Sequence, residues 1–209
     1  MNRLEKQKND FIIETDKKPA RVFLFSGHTI DRKNRPIPRF PEAMEAEARQ
    51  KIEQILDTFQ ASAQDLAIAP GIACGGDILF LEACLLRNID AIVFLPFEPA
   101  RFIEESVRYA GDKWVERFHN IKNHPQVTIN IMPEDLTEVL PGENPFARNN
   151  CWSLNSALMY GIEKLRLIVL WNGKGGDGPG GTEDMVMRIS EKGGTFEHID
   201  TTQFDYWQT

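Results

Sequence analysis

Short apolar segments alternate with helical patterns along this chain, and that alternation limits its fold more than any other feature. Apolar, β-favouring runs predict strands at residues 21–25, 65–69, 91–95, 127–131, 165–170 and about 195–199. Helical spacing predicts helices at residues 43–59, 78–87, 99–120, 182–192 and within 144–164. Such alternation is typical of a parallel sheet covered on both faces. We therefore expect an α/β, Rossmann-like, doubly wound fold with a mostly parallel sheet of about six strands flanked by helices.

The length of the chain and its first residues indicate how it is organised. A chain of 209 residues can bury one full core, and residues 21–209 are predicted to form a single Rossmann-like domain. Residues 1–20 are polar and charged, as expected of a lead-in or of a linker from another domain. They hold no apolar signal core, and no apolar run approaches the roughly 18 residues of a membrane span. We therefore expect neither export nor a membrane partner.

Charge and cysteine usage narrow the classes of partner. The formal net charge is -7 and the sequence pI is near 5.2, whereas bulk nucleic-acid binding needs a basic face. Cys74, Cys84 and Cys151 lie in ordinary apolar settings, and their spacings do not match a zinc site. We therefore predict no bulk nucleic-acid partner, no metal and no cofactor. Reduced thiols indicate a cytoplasmic location.

Glycine-bearing turns follow three of the predicted strands. Six glycines lie between residues 173 and 181, directly after the fifth strand and before a Thr-Glu-Asp helix start. The first strand ends in Ser26-Gly27-His28, and the second is followed by a turn at 70–77 that ends in Gly75-Gly76-Asp77. Carboxyl ends of parallel strands share one edge of the sheet, where ligands bind near the point at which strand order reverses. The three turns therefore predict a common ligand crevice.

For each candidate residue in these turns, a structural role is the alternative to ligand binding. Gly180, Gly181 and Thr182 can offer two N–H groups and a hydroxyl to a phosphate, or Thr182 can simply cap the helix. Glycines at 75 and 76 permit close approach of a ligand to the backbone, or they permit a tight strand-to-helix turn.

Further candidates lie around these glycines. Ser26 and Gly27 end a buried strand at the predicted crevice and are expected to contact a ligand. His28 either lies exposed in a loop or pairs with a phosphate. Asp77 either caps a helix or hydrogen-bonds a ribose or a base. Arg39 is our preferred ligand contact among the cations of residues 32–39, since it lies directly before a helix start.

Two acids at the last helix start are the candidate catalytic residues. Glu183 and Asp184 lie in the first helical turn, where carboxylates favour the helix dipole without any ligand. One of them can instead hydrogen-bond a ribose or stabilise an oxocarbenium-like centre, as carboxylates do in glycoside cleavage.

Two of the turns carry a family resemblance. Residues 71–83, with Gly75-Gly76-Asp77 before a helix, are similar to the glycine-x-aspartate helix start of the SLOG superfamily, which includes DNA-processing protein A and the lonely-guy phosphoribohydrolases. Residues 178–184 resemble the lonely-guy glycine-threonine signature, with Pro179 at one of its glycine positions and Glu183 and Asp184 off its final glutamate. The resemblance implies a Rossmann-like domain that binds nucleotides.

Two functions follow from the turns and the resemblance. The first is a sensor or effector module of the SLOG type that binds a nucleotide-derived ligand, in bacterial signalling or defence, and passes that state to a tethered effector domain. The alternative is a nucleotide N-glycosidase that cleaves the base from a nucleoside monophosphate. In either case we expect a homo-oligomer, and Tyr206 and Trp207 are candidate interface residues.

Overall fold

Strands and helices alternate through the parts of the chain that the computed structural model describes, residues 18–133, 144–175 and 181–208. The strands are β1 (Val22–Gly27), β2 (Leu66–Ala69), β3 (Asp90–Leu95), β4 (Val127–Ile131), β5 (Leu165–Trp171) and β6 (Phe196–Asp200). The α-helices are α1 (Glu45–Thr58), α2 (Gly76–Leu85), α3 (Pro99–Ser106), α4 (Asp112–Lys122), α5 (Pro145–Leu158) and α6 (Thr182–Glu191). Gly180 and residues 1–17 of the predicted lead-in lie outside the described residues.

The six strands form one sheet in the order β4-β3-β2-β1-β5-β6, and every neighbouring pair is parallel. The chain therefore builds outward from β1 to β4 and then returns to place β5 on the other side of β1. This arrangement is the predicted Rossmann-like α/β fold. Its strand order reverses between β1 and β5, which is where such sheets open a crevice at their carboxyl ends.

Helices cover both faces of this sheet. Phe23 and Phe25 of β1 face one core, which is closed by residues of α1 to α4. Val22 and Leu24 point to the opposite face and pack with residues of α5 and α6. Because successive side chains of a strand point to opposite faces, β1 is apolar throughout most of its length and its first five residues are buried.

One predicted helix is wrong in its extent. Residues 99–120 form two α-helices, α3 and α4, instead of one, with a short 3-10 turn at Arg108–Ala110 between them. Val107 leaves the helical region with φ −131°, and Gly111 has φ 110°, a conformation that favours glycine. The break at Gly111 lets α4 start afresh at Asp112.

The residues after β6 return to the first face of the sheet. We call residues 201–208 the C-terminal segment. Its Phe204 ring is fully buried in the first core, with the Lys51 ammonium 5.6 Å from the ring centroid. The Asp205 amide donates to the Glu47 carboxylate of α1 at 3.0 Å. The segment is therefore fixed against α1 and stands beside the carboxyl edge of the sheet.

Within the described ranges, none of the helices is both long enough and apolar enough to pass through a lipid bilayer.

Candidate functional site

The described parts of the three predicted turns lie together at the carboxyl edge, and residues 176–180 of the third turn lie outside the described residues. Residues 28–41 form what we call the β1 loop, and its start lies between the other two turns. The His28 amide donates to the Leu170 carbonyl of β5 at 2.8 Å, and the His28 carbonyl accepts from the Gly76 amide at 3.0 Å. The Ile30 amide donates to the Cys74 carbonyl at 2.9 Å. Backbone hydrogen bonds therefore join the ends of β1, β2 and β5 into one continuous edge.

The glycines of this edge allow the turns to pack on one another. A Cβ on Gly75, which has φ +110°, would lie 2.8 Å from the Ile30 amide nitrogen. A Cβ on Gly76 would lie 2.9 Å from the Phe25 ring, and one on Gly27 would lie 2.8 Å from the Leu170 Cβ. Glycine is thus required here by contacts inside the protein. Ligand contact by Gly27, Gly75 and Gly76 stays a prediction.

Ser26 and Thr182 join the end of β1 to the start of α6. Their hydroxyl oxygens are 3.0 Å apart and share a hydrogen bond. Thr182 is the first residue of the helix, and the N-cap residue before it, Gly181, makes no side-chain cap hydrogen bond with the described residues. Thr182 therefore does not occupy the N-cap position of this helix. The N-terminus of α6 stands beside the switch point, as predicted.

His28 is buried, not exposed in a loop. Its Nε2 accepts a hydrogen bond from the Asn172 amide at 3.1 Å, so this ring nitrogen carries no proton in that contact. The bond fixes the first residue after β5 to the first residue after β1. His28 thus positions the start of the turn that follows β5, which we call the β5 turn.

Asp77 is a buried carboxyl group under the turn that follows β2, which we call the β2 turn. Its side chain accepts from the Ala73 amide at 3.2 Å and closes the turn instead of capping α2. α2 begins at Gly76, two residues before the predicted start, because Gly75 completes the reversal of the chain. Burial raises the pKa of Asp77 to about 7, and the hydrogen bond from Ala73 opposes this only in part.

The raised pKa predicts a pH-dependent effect of Asp77→Asn. Between about pH 4 and pH 7 the unfolded state releases the Asp77 proton while the folded state keeps it, so the free energy of unfolding falls as pH rises. An asparagine side chain keeps an acceptor oxygen for Ala73 but does not titrate. The variant should therefore gain stability relative to the parent by up to about 1.4 kcal/mol per pH unit in that window. Urea unfolding across the window measures this, and parallel profiles would contradict it.

The two candidate catalytic acids have different surroundings. The Asp184 carboxylate pairs with Arg188 one turn along α6 at 2.8 Å. Glu183 is exposed, and its Oε2 would lie 3.4 Å from a Cβ placed on Gly175. Glu183 therefore reaches toward the β5 turn, whereas Asp184 is directed along its own helix.

A pocket of about 360 Å³ opens at this edge, and we call it the first pocket. It lies between the β1 loop, the start of the β5 turn and the C-terminal segment. Its lining residues are Arg35, Ile37, Pro38, Arg39, Asn172, Lys174, Gly175, Thr201, Thr202 and Trp207. Arg39 thus lines a ligand-sized pocket, and its contact with a ligand stays a prediction. Ser26, Gly27, His28, Gly75, Gly76, Asp77, Gly181 and Thr182 are near this edge but are not among these lining residues.

The first pocket is cationic in an acidic protein. Arg35, Arg39 and Lys174 line it, and its described lining includes no carboxylate. Arg35 also pairs with Asp31 at 3.4 Å, which holds this side chain within the β1 loop. Asp31 further accepts from the Arg39 amide at 2.8 Å. One aspartate therefore anchors the loop segment that carries both arginines.

The C-terminal segment supplies Trp207 and Thr201 to the lining of the first pocket. Trp207 donates from its indole Nε1 to the Thr201 carbonyl at 2.8 Å. Thr201 is fully buried, and within the described residues its hydroxyl has no hydrogen-bond partner. A buried hydroxyl without a hydrogen-bond partner is uncommon in a folded protein.

Sequence reasoning missed these two residues of the first pocket. Trp207 was expected at an interface between copies of the chain, and Thr201 was not considered. A signal was present in Asp200-Thr201-Thr202, since the Asp200 carboxylate accepts from the Thr202 amide at 2.9 Å and turns the chain back.

Other polar and aromatic residues near this edge stabilise the fold. The Trp152 ring lies edge-on to Phe94, with centroids 4.7 Å apart, in the second core. Asn149 donates from its side-chain amide to the Pro70 and Phe94 carbonyls, and so ties the ends of β2 and β3 to α5. Burial raises the pKa of Cys74 to about 11, so its thiol stays protonated at neutral pH.

The topology and the pocket at the carboxyl edge define a Rossmann-like α/β protein with a cationic site. Comparisons with protein-family models, with curated proteins and with solved structures each give no match to the chain. In the described ranges, His, Cys, Asp and Glu side chains form no group of three or more that could hold a metal ion.

Proposed function

We propose that this chain binds a nucleotide-derived anionic ligand in the first pocket. The observation that carries the proposal is the convergence of Arg35, Arg39 and Lys174 on a pocket at the switch point of a parallel sheet. Guanidinium and ammonium groups are the usual partners of phosphate oxygens. Trp207 adds an aromatic surface on which a base can stack.

The start of α6 supports the same assignment. In the described part of the chain its N-cap residue makes no side-chain cap, and the helix start stands next to the end of β1 through the bond between Ser26 and Thr182. The positive end of a helix favours an anion. Gly175 of the pocket wall lies near Glu183 of this helix, so the pocket and the helix start belong to one region.

A sensor role fits the way the pocket is built. The C-terminal segment forms one wall and is fixed to α1 through Phe204 and Asp205. A ligand that contacts Trp207 therefore contacts a segment that is fixed to the surface of the domain. We propose that an effector domain or a second copy of the chain binds this segment and so responds to the ligand.

A panel of nucleotides tests the proposal. Thermal unfolding is measured with nucleoside monophosphates, a nicotinamide dinucleotide and cyclic nucleotides, and each mixture is analysed by chromatography for free base. A ligand at a hundred times its dissociation constant should add about 2.7 kcal/mol to the free energy of unfolding. We expect a stabilising shift with the base still attached. If no member of the panel stabilises the protein, the proposed function is wrong.

The position of Glu183 favours one second candidate, a nucleotide N-glycosidase. Its exposed carboxylate reaches toward Gly175, which lines the first pocket, so it can approach the ribose of a bound nucleotide. A carboxylate there can stabilise the positive charge that develops as the glycosidic bond breaks. Release of free base in the panel would support this candidate over simple binding.

A matched pair of variants separates chemistry from helix stabilisation in that case. Glu183→Gln should lower base release by about a hundredfold or more while the thermal shift by the ligand is kept. Asp184→Asn is the control, because Asp184 is paired with Arg188 on the same helix. Base release is measured by chromatography over time. Equal losses in the two variants would contradict a role of Glu183 in the reaction.

A further inference from the structure

A second pocket lies on the other side of the β1 loop. Its volume is about 310 Å³, close to that of the first pocket. Its lining residues are Ile30, Asp31, Arg32, Lys33, Arg35, Pro38, Pro41, Glu42, Tyr109, Ala110 and Tyr206. Both volumes are at the lower end of the range for ligand sites, roughly 300–1,000 Å³. Each pocket alone therefore has room for one ring system.

The two pockets share a boundary. Arg35 and Pro38 of the β1 loop line both of them. The Arg35 Nε donates to the Ile37 carbonyl at 3.1 Å, so its guanidinium is held along the loop that separates the pockets. A cation fixed at this boundary is suited to bind the phosphates of a ligand that extends from one pocket into the other.

Consecutive aromatic residues divide between the pockets. Trp207 lines the first and Tyr206 lines the second, with ring centroids 4.8 Å apart and ring planes at 84°. Both side chains are partly exposed, at 43% and 40%. The C-terminal segment thus offers one aromatic surface to each side of the boundary.

The carboxylates of the second pocket are engaged with partners in the protein. Asp31 accepts from the Phe40 amide at 2.9 Å, and Glu42 pairs with Lys113 at 2.5 Å. Arg32 lies over the Tyr109 ring, with its guanidinium carbon 3.9 Å from the centroid. The second pocket therefore also presents cations beside aromatic rings, and its acids are partly neutralised.

We infer that the site takes a dinucleotide, with its linking phosphates at Arg35 and one base in each pocket, beside Trp207 and beside Tyr206. The inference rests on the proposed function and specifies its ligand class. Two ring-sized pockets, a shared cation and one aromatic surface on each side are the features of a site for a ligand with two nucleosides joined through phosphate. A mononucleotide fills the first pocket alone.

Titration calorimetry with matched ligands tests this. Diadenosine triphosphate is compared with adenosine triphosphate, and diguanosine triphosphate with guanosine triphosphate, so that each pair differs by the second nucleoside at an equal number of phosphates. For at least one pair, the dinucleotide should bind about fivefold more tightly or better, since stacking of one more base is worth at least about that factor. Equal affinities in both pairs would overturn the inference.

Variants of the two aromatic residues locate the second nucleoside. Tyr206→Ala should remove the advantage of the dinucleotide and leave triphosphate affinity unchanged, and Tyr206→Phe should keep the advantage. Trp207→Ala should weaken both ligands. Undiminished dinucleotide binding in Tyr206→Ala, or equal loss of both ligands, would overturn the division between the pockets. If none of the triphosphates and none of the nucleotides in the panel bind, the proposed function is wrong as well. If the triphosphates bind and the dinucleotides bind no more tightly, only this inference is wrong.

Discussion

Replacement of Gly75 by alanine should lower the free energy of unfolding by about 3–5 kcal/mol. Its φ of +110° is strained for any residue with a side chain, and the new Cβ would lie 2.8 Å from the Ile30 amide nitrogen and 3.0 Å from the His28 carbonyl oxygen. Backbone atoms at a strand end have little freedom to move away. The turns after β1 and β2 would therefore separate, and the hydrogen bond between Gly76 and His28 would weaken.

Gly111→Ala is the matched control. Gly111 also has φ +110°, but a Cβ placed there would meet no heavy atom of the described residues within 4 Å apart from its chain neighbours. It therefore measures backbone strain alone, which we expect to be about 1–3 kcal/mol. Urea unfolding of both variants gives the difference between them. If the two variants lose equal stability, the contact between the turns does not account for the glycine at 75.

Arg39→Glu should reduce the affinity of a bound nucleotide by roughly a hundredfold or more, because it removes a charge-assisted hydrogen bond and adds repulsion. Arg39 lines the first pocket, and its loop is anchored by the bond from its own amide to Asp31, which the substitution does not touch. Calorimetry with the ligand that gives the largest thermal shift measures the loss. Affinity of the parent protein should also fall with added salt.

Arg166→Glu changes the net charge by the same amount at the opposite edge of the sheet. Arg166 lies near the start of β5, where its guanidinium donates to the Glu163 and Leu165 carbonyls. Affinity in this variant should stay within about twofold of the parent, since a charge more than a Debye length away is largely screened. Equal losses in the two variants would show that overall charge, and not the first pocket, controls binding.

The strands were predictable because each is a short run rich in apolar, β-favouring residues. β4 was predicted at residues 127–131 and lies there, and the other strand boundaries differ by two residues at most. The division of residues 99–120 was not predicted, because the apolar spacing of Phe102 and Trp114 continues across the break. The glycine at 111, directly before Asp112, was the local signal for a new helix start.

The candidate site was predictable only in its location at the carboxyl edge of the sheet. The sequence placed three turns at one edge, and the bonds of His28 to Leu170 and Gly76 bring them together there. It did not predict that Gly75 meets the backbone of residue 30, because that contact depends on the register between strands. Nor did it predict the wall made by Thr201 and Trp207, because their approach to the β1 loop depends on how the chain turns after β6.

The anchoring of the β1 loop also matters for protein engineering. Its first three residues, 28–30, carry the backbone bonds to the neighbouring turns, whereas the cations Arg35 and Arg39 come later and are held locally through Asp31. Under the proposed function, ligand preference and folding therefore depend on separate parts of one loop. A graft that exchanges residues 32–39 and keeps Asp31 and Phe40 replaces the loop cations while the backbone bonds of residues 28–30 to the neighbouring turns are kept.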